Sequence, residues 1–106
     1  GEYQFMPVAN ATPYTALGII GSATPGGWDN DTDLIKNPSN PFLWSKIFTL
    51  TEAEAKFRAN NAWDVNWGGS AFPGGVSSQN GANIPVKAGT YFVTFNTGTG
   101  EYYFLK

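Results

Sequence analysis

Residues 55–69 have the sequence AKFRANNAWDVNWGG, which carries the clearest pattern in the chain. The stretch begins as a strand, with Phe57 between two alanines on one face. Because successive side chains of a strand alternate, Lys56 and Arg58 fall on the opposite side, which we expect to face solvent. Amides, two tryptophans and a Gly-Gly pair follow at once. The stretch therefore predicts a β-strand that leads into an aromatic, amide-rich turn.

The sequence on both sides of this stretch also consists of short apolar runs separated by turn residues. Residues 90–96 and 101–105 alternate apolar and polar side chains around TGTG, which is a hairpin signal. Residues 44–50 alternate with Phe48 and Leu50 inward, and residues 16–20 are a weaker candidate strand with Leu17 and Ile19 inward. The 13 glycines and 7 prolines fall at the spacing typical of a sandwich. We therefore predict one all-β antiparallel sandwich.

Three polar stretches lack this alternation and are predicted to be turns or loops. Residues 21–41 form the longest, and a loop of that length in a small domain is usually functional or disordered. It contains Trp28 and ends near Trp44, which favours function. Residues 52–54 are predicted as a turn, and residues 68–82 as a Gly/Ser-rich loop. Residues 1–15 are predicted as an extended N-terminal segment or linker, and residues 16–106 as the sandwich module.

Composition excludes several classes of function. The chain has 106 residues, enough for one domain that buries roughly 65% of its unfolded surface. It contains no Cys and no His, the residues that supply thiolate metal sites and the commonest general base. The net charge is −2, which argues against a nucleic-acid partner. We predict neither a cofactor nor a metal.

The carboxylates give no convincing catalytic or metal site. A glycosidase needs two carboxylates on opposite sides of a sugar, and no clear acid/base pair emerges from the sequence. Residues 29–33, DNDTD, imitate the opening of a calcium loop, but Leu34 and Asn40 stand where that loop needs Gly and Glu. We therefore expect a protein that is not an enzyme.

The aromatic and basic residues give a candidate site for a sugar, since indole rings cover its apolar faces and cations and amides bond its hydroxyls. Trp28 follows Gly-Gly in a polar loop and is interpreted as a stacking platform, and Trp44 is interpreted similarly. For Trp67 two interpretations stay open, a stacking platform or a core residue. Trp63 is interpreted as structural because it follows the inward-facing strand. Ordinary solvated charges remain an alternative for the two basic residues. The predicted ligand contacts are Trp28, Trp44, Lys56, Arg58 and Asn60, with Trp67 and Asn61 as further candidates.

Three phrases of the sequence resemble one known family. They are IGSATPGGW at 20–28, KFRANNAWDVNWGG at 56–69, and NIPVKAGTY at 83–91 before the terminal hairpin. Together they resemble the SusE/SusF family of outer-membrane starch-binding lipoproteins, over residues 16–105. The resemblance implies an immunoglobulin-like antiparallel β-sandwich that binds carbohydrate at the cell surface without catalysis. It implies that Trp28 and Trp44 cradle an α-glucan while Lys56, Arg58 and Asn60 bond its hydroxyls.

The same resemblance implies the partners of the module. They are a polysaccharide, with α-glucan favoured, neighbouring modules of a larger lipoprotein, and other outer-membrane components of glycan uptake. The alternative is a sandwich of the same fold that acts as a structural spacer or protein-docking module without its own sugar site. Exposed tryptophans around one groove would favour binding, and buried ones would favour the spacer.

Overall fold

A computed structural model describes residues 14–106, and its regular secondary structure there is entirely β-strand. Most of the predicted N-terminal segment, residues 1–15, lies outside the described residues. In chain order the strands are β1 (Leu17–Gly21), β2 (Gly27–Asp33), β3 (Ile35–Asn37), β4 (Asn40–Leu50), β5 (Ala53–Ala59), β6 (Asn66–Gly68), β7 (Gly74–Val76), β8 (Ser78–Gln79), β9 (Ile84–Val86), β10 (Gly89–Asn96) and β11 (Glu101–Leu105).

The strands form two antiparallel sheets. The front sheet has the order β2-β1-β5-β6-β8, with β9 also paired to β5. The back sheet has the order β3-β4-β10-β11-β7. The two sheets pack face to face, so the all-β sandwich predicted from the sequence is confirmed.

The core lies between the inner faces of the two sheets. Leu17 and Ile19 from β1 and Phe57 from β5 are fully buried there, opposite Val93 and Phe95 from β10. The rings of Phe57 and Phe95 stack with centroids 4.4 Å apart, which joins the two sheets directly. Burying a side chain of this kind contributes about 1.5–3 kcal/mol. The inward directions predicted for Leu17 and Ile19 and for Phe48 and Leu50 are confirmed.

The hairpin of β10 and β11 forms where the sequence predicts it. Its register pairs Phe92 with Leu105 and Phe95 with Tyr102. The turn is held by Asn96, whose Oδ1 accepts hydrogen bonds from the backbone N–H groups of Gly98 at 2.7 Å and Thr99 at 3.1 Å. A side chain that bonds its own turn in this way explains why the polar TGTG segment closes the hairpin.

The predicted loops are partly wrong. Residues 21–41 contain β2 and β3, β5 already begins at Ala53, and residues 68–82 contain β7 and β8. β2 is an edge strand that pairs with β1 through its backbone, with Ile19 opposite Thr32. Its polar side chains lack the apolar alternation by which strands are recognised in sequence, because backbone pairing needs no apolar face.

Candidate functional site

The outer face of the front sheet carries the candidate site. Since Leu17, Ile19 and Phe57 point into the core, their neighbours Gly18 and Ile20 on β1 and Lys56 and Arg58 on β5 point outward. The register places Gly18 opposite Arg58 and Ile20 opposite Lys56. Strand β2 lies on the other side of β1, so side chains from β2 and β5 meet across β1.

Gly18 makes this meeting possible. A Cβ atom at position 18 would lie 2.7 Å from the Cβ of Asp31, so any larger residue would displace the aspartate. In the space that glycine leaves, Asp31 of β2 reaches across β1 to Arg58 of β5. The glycine that weakens β1 as a strand signal therefore allows a contact between its two neighbouring strands.

Asp31 and Arg58 form a buried ion pair. The Nε–H of Arg58 donates to Oδ1 of Asp31, and the two side chains are 10% and 1% exposed, respectively. Within residues 14–106, Oδ2 of Asp31 has no hydrogen-bond partner. Burial raises the pKa of Asp31; the hydrogen bond and charge of Arg58 oppose this shift, and the charge of Asp33 adds to it. The pair thus holds a desolvated carboxylate beside a guanidinium.

Trp63 covers both basic side chains. Its ring lies 4.8 Å from Cζ of Arg58 and 5.9 Å from Nζ of Lys56, within the range of cation–π attraction. Lys56 is 9% and Arg58 8% exposed, so the prediction that they face solvent is wrong. The side of the strand is as predicted, but the turn after β5 folds back over it. Burial lowers the pKa of Lys56.

Trp28 and Trp63 form an exposed aromatic pair. Trp28 is 38% and Trp63 46% exposed, and their rings stack with centroids 6.1 Å apart and planes inclined at 28°. Gly27, directly before Trp28, has φ of +60°, a conformation that glycine adopts without strain. We call Trp28, Trp63, Lys56, Arg58 and Asp31 together the tryptophan site.

The turn between β5 and β6 places Trp63. Asn60 and Asn61 adopt φ angles of 56° and 55°, which asparagine tolerates better than most residues. The side chain of Asn66 then donates through Nδ2 to the backbone oxygen of Trp63 at 2.9 Å. Because Asn66 lies opposite Arg58 in the β5–β6 ladder, this bond ties the turn to the strand that it covers.

The two predicted amide contacts thus shape this turn. Oδ1 of Asn60 accepts a hydrogen bond from Oγ1 of Thr15 at 3.1 Å, and its backbone N–H donates to the oxygen of Ala16 at 2.9 Å. Asn61 is exposed at the adjacent turn position. Contact of either side chain with a sugar stays a prediction.

The other two tryptophans belong to the core, which corrects the predicted pairing of Trp28 with Trp44. Trp44 is 3% exposed, because the alternation of β4 turns it to the same side as Phe48 and Leu50. Trp67 is 4% exposed and its ring packs 5.0 Å from that of Phe95. Neither indole presents a face to a ligand. Trp63, interpreted from the sequence as structural, takes the place beside Trp28.

Sequence reasoning missed Asp31 and Asn66 and misassigned Trp63, although Asp31 and Trp63 each have a signal. The acidic residues of 29–33 alternate with period two, as outward side chains of an edge strand do. The segment from Arg58 to Asn66 is short enough to be a hairpin connection, and Trp63 lies within it. Recognising that hairpin would have placed Trp63 near Arg58.

The acidic residues of β2 are arranged differently from those of a calcium loop. Asp31 is paired with Arg58, and the segment runs as an extended strand. Within residues 14–106, no group of three or more His, Cys, Asp and Glu side chains is arranged to hold a metal ion.

Comparison of the chain with protein-family models, with curated proteins and with solved structures gives no match. The likeness to the SusE/SusF family therefore rests on the three sequence phrases alone. Among residues 14–106 there is no helix long and apolar enough to cross a membrane.

Proposed function

We propose that this chain is a non-catalytic carbohydrate-binding module and that the tryptophan site binds a neutral glycan. The observation that carries the proposal is the pair of exposed, stacked indoles of Trp28 and Trp63 directly beside the buried cations of Lys56 and Arg58. Rings for the C–H faces of a sugar and donors for its hydroxyls then lie within one contact surface.

The choice among neutral glycans follows the family resemblance. The rings of Trp28 and Trp63 stack with planes inclined at 28°, and their exposed surfaces offer apolar contact to the C–H groups of a sugar. The α-glucan that the resemblance implies is therefore the ligand that we propose.

Lys56 and Arg58 act in this proposal as hydrogen-bond donors rather than as counter-ions. Both are shielded by Trp63, and hydrogen bonds from charged donors are stronger where water is excluded. Asp31 neutralises Arg58, and Asp33 brings a second carboxylate to the outer face that holds Lys56, so the surface has little net charge to attract an anion. A neutral ligand fits this balance better than an acidic one.

The same resemblance supports the wider setting that we propose. The module would belong to a larger lipoprotein on the outer surface of an outer membrane, beside further modules and other components of glycan uptake. In that setting the module retains polysaccharide and leaves its cleavage to other proteins.

A protein-docking module is the second candidate, favoured by the outer face of the back sheet. Ile47, Phe92 and Leu105 lie in one row across β4, β10 and β11, and all three are exposed. An exposed apolar row of this kind is typical of surfaces that contact other proteins. We call these three residues the apolar row.

Native affinity electrophoresis tests the proposal. The chain should be retarded by pullulan or amylopectin, more than by a soluble β-glucan such as hydroxyethyl cellulose, and should release no reducing ends. Trp63→Ala should abolish most of the retardation, while Phe92→Ala, which removes an equally exposed aromatic from the back sheet, should leave it unchanged. Retardation that depends on Phe92 but not on Trp63 would place the glycan on the apolar row instead. Release of sugar by the pure chain would contradict the non-catalytic role.

A further inference from the structure

Ring stacking and hydrogen-bond donation by cations account for the other members of the tryptophan site, but they give no role to Asp31. Its side chain is 1% exposed, and it crosses β1 in the gap at Gly18 to meet Arg58. A carboxylate cannot donate a hydrogen bond, and this one is too deeply placed to offer its oxygens at the surface. Its effect on a ligand must therefore pass through Arg58.

The geometry of the pair leaves the Nη groups of Arg58 unbonded by Asp31. Asp31 accepts from Nε alone, and within residues 14–106 the Nη groups of Arg58 have no hydrogen-bond partner. Arg–carboxylate pairs frequently use two parallel N–H···O bonds, which would occupy Nε and one Nη together. Here the second carboxylate oxygen, Oδ2, is left without a partner in the described part of the chain.

The pair also sets the charge of the site. Lys56 and Arg58 bring two positive charges from β5, and β2 brings the carboxylates of Asp31 and Asp33 to the same outer face. Asp31 is the one of the two that bonds a cation of the site. Without it, two adjacent cations under one indole would attract anionic ligands strongly, because partly buried charges are poorly screened.

We propose that Asp31 is a positioning and selectivity residue of the tryptophan site. It fixes Arg58 through Nε so that the Nη groups meet sugar hydroxyls, and it cancels the guanidinium charge so that uncharged glycans are preferred to acidic ones. This rests on the proposed glycan-binding function and names the substrate class that the site selects. Burial of Asp31 against the preference of a carboxylate for water is consistent with a residue kept for function.

The test compares the wild type with Asp31→Asn on two polymers, pullulan and polygalacturonate, at low and high salt. The amide keeps the shape of the side chain and can still accept from Arg58, but it lacks the charge. Pullulan binding should weaken by roughly two- to tenfold, because the neutral amide holds Arg58 less firmly than the charge-assisted bond of the carboxylate does. Polygalacturonate binding should appear or strengthen by roughly tenfold at low salt and fall steeply as salt rises.

Asp33→Asn is the matched control. It removes the same charge from the same strand, but Asp33 is exposed and has no bond to Arg58 within the described residues. Its pullulan binding should equal that of the wild type, and its gain of polygalacturonate binding should be much smaller than that of Asp31→Asn. If Asp31 only held the fold, Asp31→Asn would lower the affinity for both polymers. A lower affinity for pullulan together with a higher affinity for polygalacturonate therefore distinguishes a selectivity role from a structural one.

A measurement on the wild type covers the case in which Asp31→Asn does not fold. The Nε–H signal of Arg58 in a proton–nitrogen NMR spectrum should exchange slowly with water before any glycan is added, because the ion pair is already formed. Exchange as fast as that of free arginine overturns the inference.

The outcomes separate this inference from the proposed function. Pullulan binding by the wild type with no gain of polygalacturonate binding in Asp31→Asn overturns the inference and leaves the proposed function standing. Absence of pullulan binding by the wild type contradicts the proposed function, while a gain of polygalacturonate binding in Asp31→Asn would still support charge selection by Asp31. Binding of neither polymer by either protein overturns both.

Discussion

The two outer faces of the sandwich both expose large apolar side chains, but they differ in what lies beside those side chains. On the front sheet, Trp28 and Trp63 lie over buried cations, one of which is paired with a buried carboxylate. On the back sheet, the neighbours of the apolar row include Thr49 and Thr90, which bond each other at 3.0 Å. Exposed rings alone are therefore a weak sign of a ligand site, whereas rings combined with desolvated donors are a strong one.

The outer face of the front sheet is therefore a mixed aromatic and charged surface, and that of the back sheet carries an apolar row. A sugar needs both C–H contact and hydrogen bonds, and the tryptophan site has groups suited to both. The apolar row has the character of a protein contact. Substitutions on the two faces test this difference.

The largest expected effect separates tryptophans that hold the fold from those that form the site. Trp44→Ala should lower the free energy of unfolding by about 3–5 kcal/mol, because it leaves a large cavity in the core. Trp63→Ala should cost about 1 kcal/mol or less, since its ring is 46% exposed. Urea denaturation followed by circular dichroism measures both. An equally large loss in Trp63→Ala would mean that the front-face rings are part of the core after all.

The next effect concerns the charge on the front sheet. Lys56→Met keeps the apolar stem under Trp63 but removes the ammonium, and should weaken glucan binding by about 1.5–3 kcal/mol if Lys56 donates to the ligand. Lys46→Met is the control, since Lys46 lies 5.8 Å from the ring of Phe48, a residue of the back sheet. Isothermal titration with a soluble maltooligosaccharide measures both. Equal losses in the two variants would indicate a general charge effect rather than a contact.

A smaller effect is expected for the exposed platform. Trp28→Ala should weaken glucan binding by about 1–2 kcal/mol, or roughly tenfold, while the melting temperature stays nearly constant. Phe92→Ala, with a similarly exposed ring, should change neither quantity by much. The same titration, with a thermal melt of each variant, measures the two effects. A lower affinity in Phe92→Ala would move part of the glycan onto the back sheet and remove the distinction between the faces.

The central strands of the two sheets were easier to predict from the sequence than the edge strands. The hairpin of β10 and β11 carries its own apolar alternation and its own turn, so local signals determine it. Strand β2 carries no apolar alternation, because its place depends on backbone pairing with β1 rather than on an apolar face. Of the site, the outward direction of Lys56 and Arg58 follows from period two alone, and Trp28 follows from its polar surroundings.

The remainder of the site depends on contacts between residues far apart in the sequence. Asp31 and Arg58 meet only because Gly18 leaves a gap in the strand between them. Whether an indole covers the sheet or enters the core depends on the fold of its neighbourhood. Trp63 is turned outward by the hairpin that Asn66 closes, and Trp44 is turned inward by the register of β4 with β10. The alternation of residues 44–50 places Trp44 on the side of Phe48 and Leu50, whereas the position of Trp63 follows only once β5 and β6 are recognised as a hairpin.

The smallest expected effect is a pH dependence of the free energy of unfolding that arises from Asp31 in the front sheet. Burial raises the pKa of Asp31 above its ordinary value of 3.8, against the opposing effect of Arg58 and together with the charge of Asp33. The folded chain therefore holds the Asp31 proton more tightly than the unfolded chain does. The resulting stability is fully present below pH 3.8 and is lost as the pH rises through the raised pKa.

The comparison of wild type with Asp31→Asn isolates this contribution from the other acids. At low pH the carboxyl group is as neutral as the amide, so the two proteins should have similar stability. As the pH rises towards neutrality, the wild type should lose stability relative to Asp31→Asn, and at pH 7 the variant should be at least as stable. Asp33→Asn, measured alongside, gives the change that removing a charge from this strand produces by itself. If the wild type instead gained stability over Asp31→Asn with rising pH, the pairing with Arg58 would outweigh the burial of the carboxylate, and Asp31 would hold the fold rather than select the ligand.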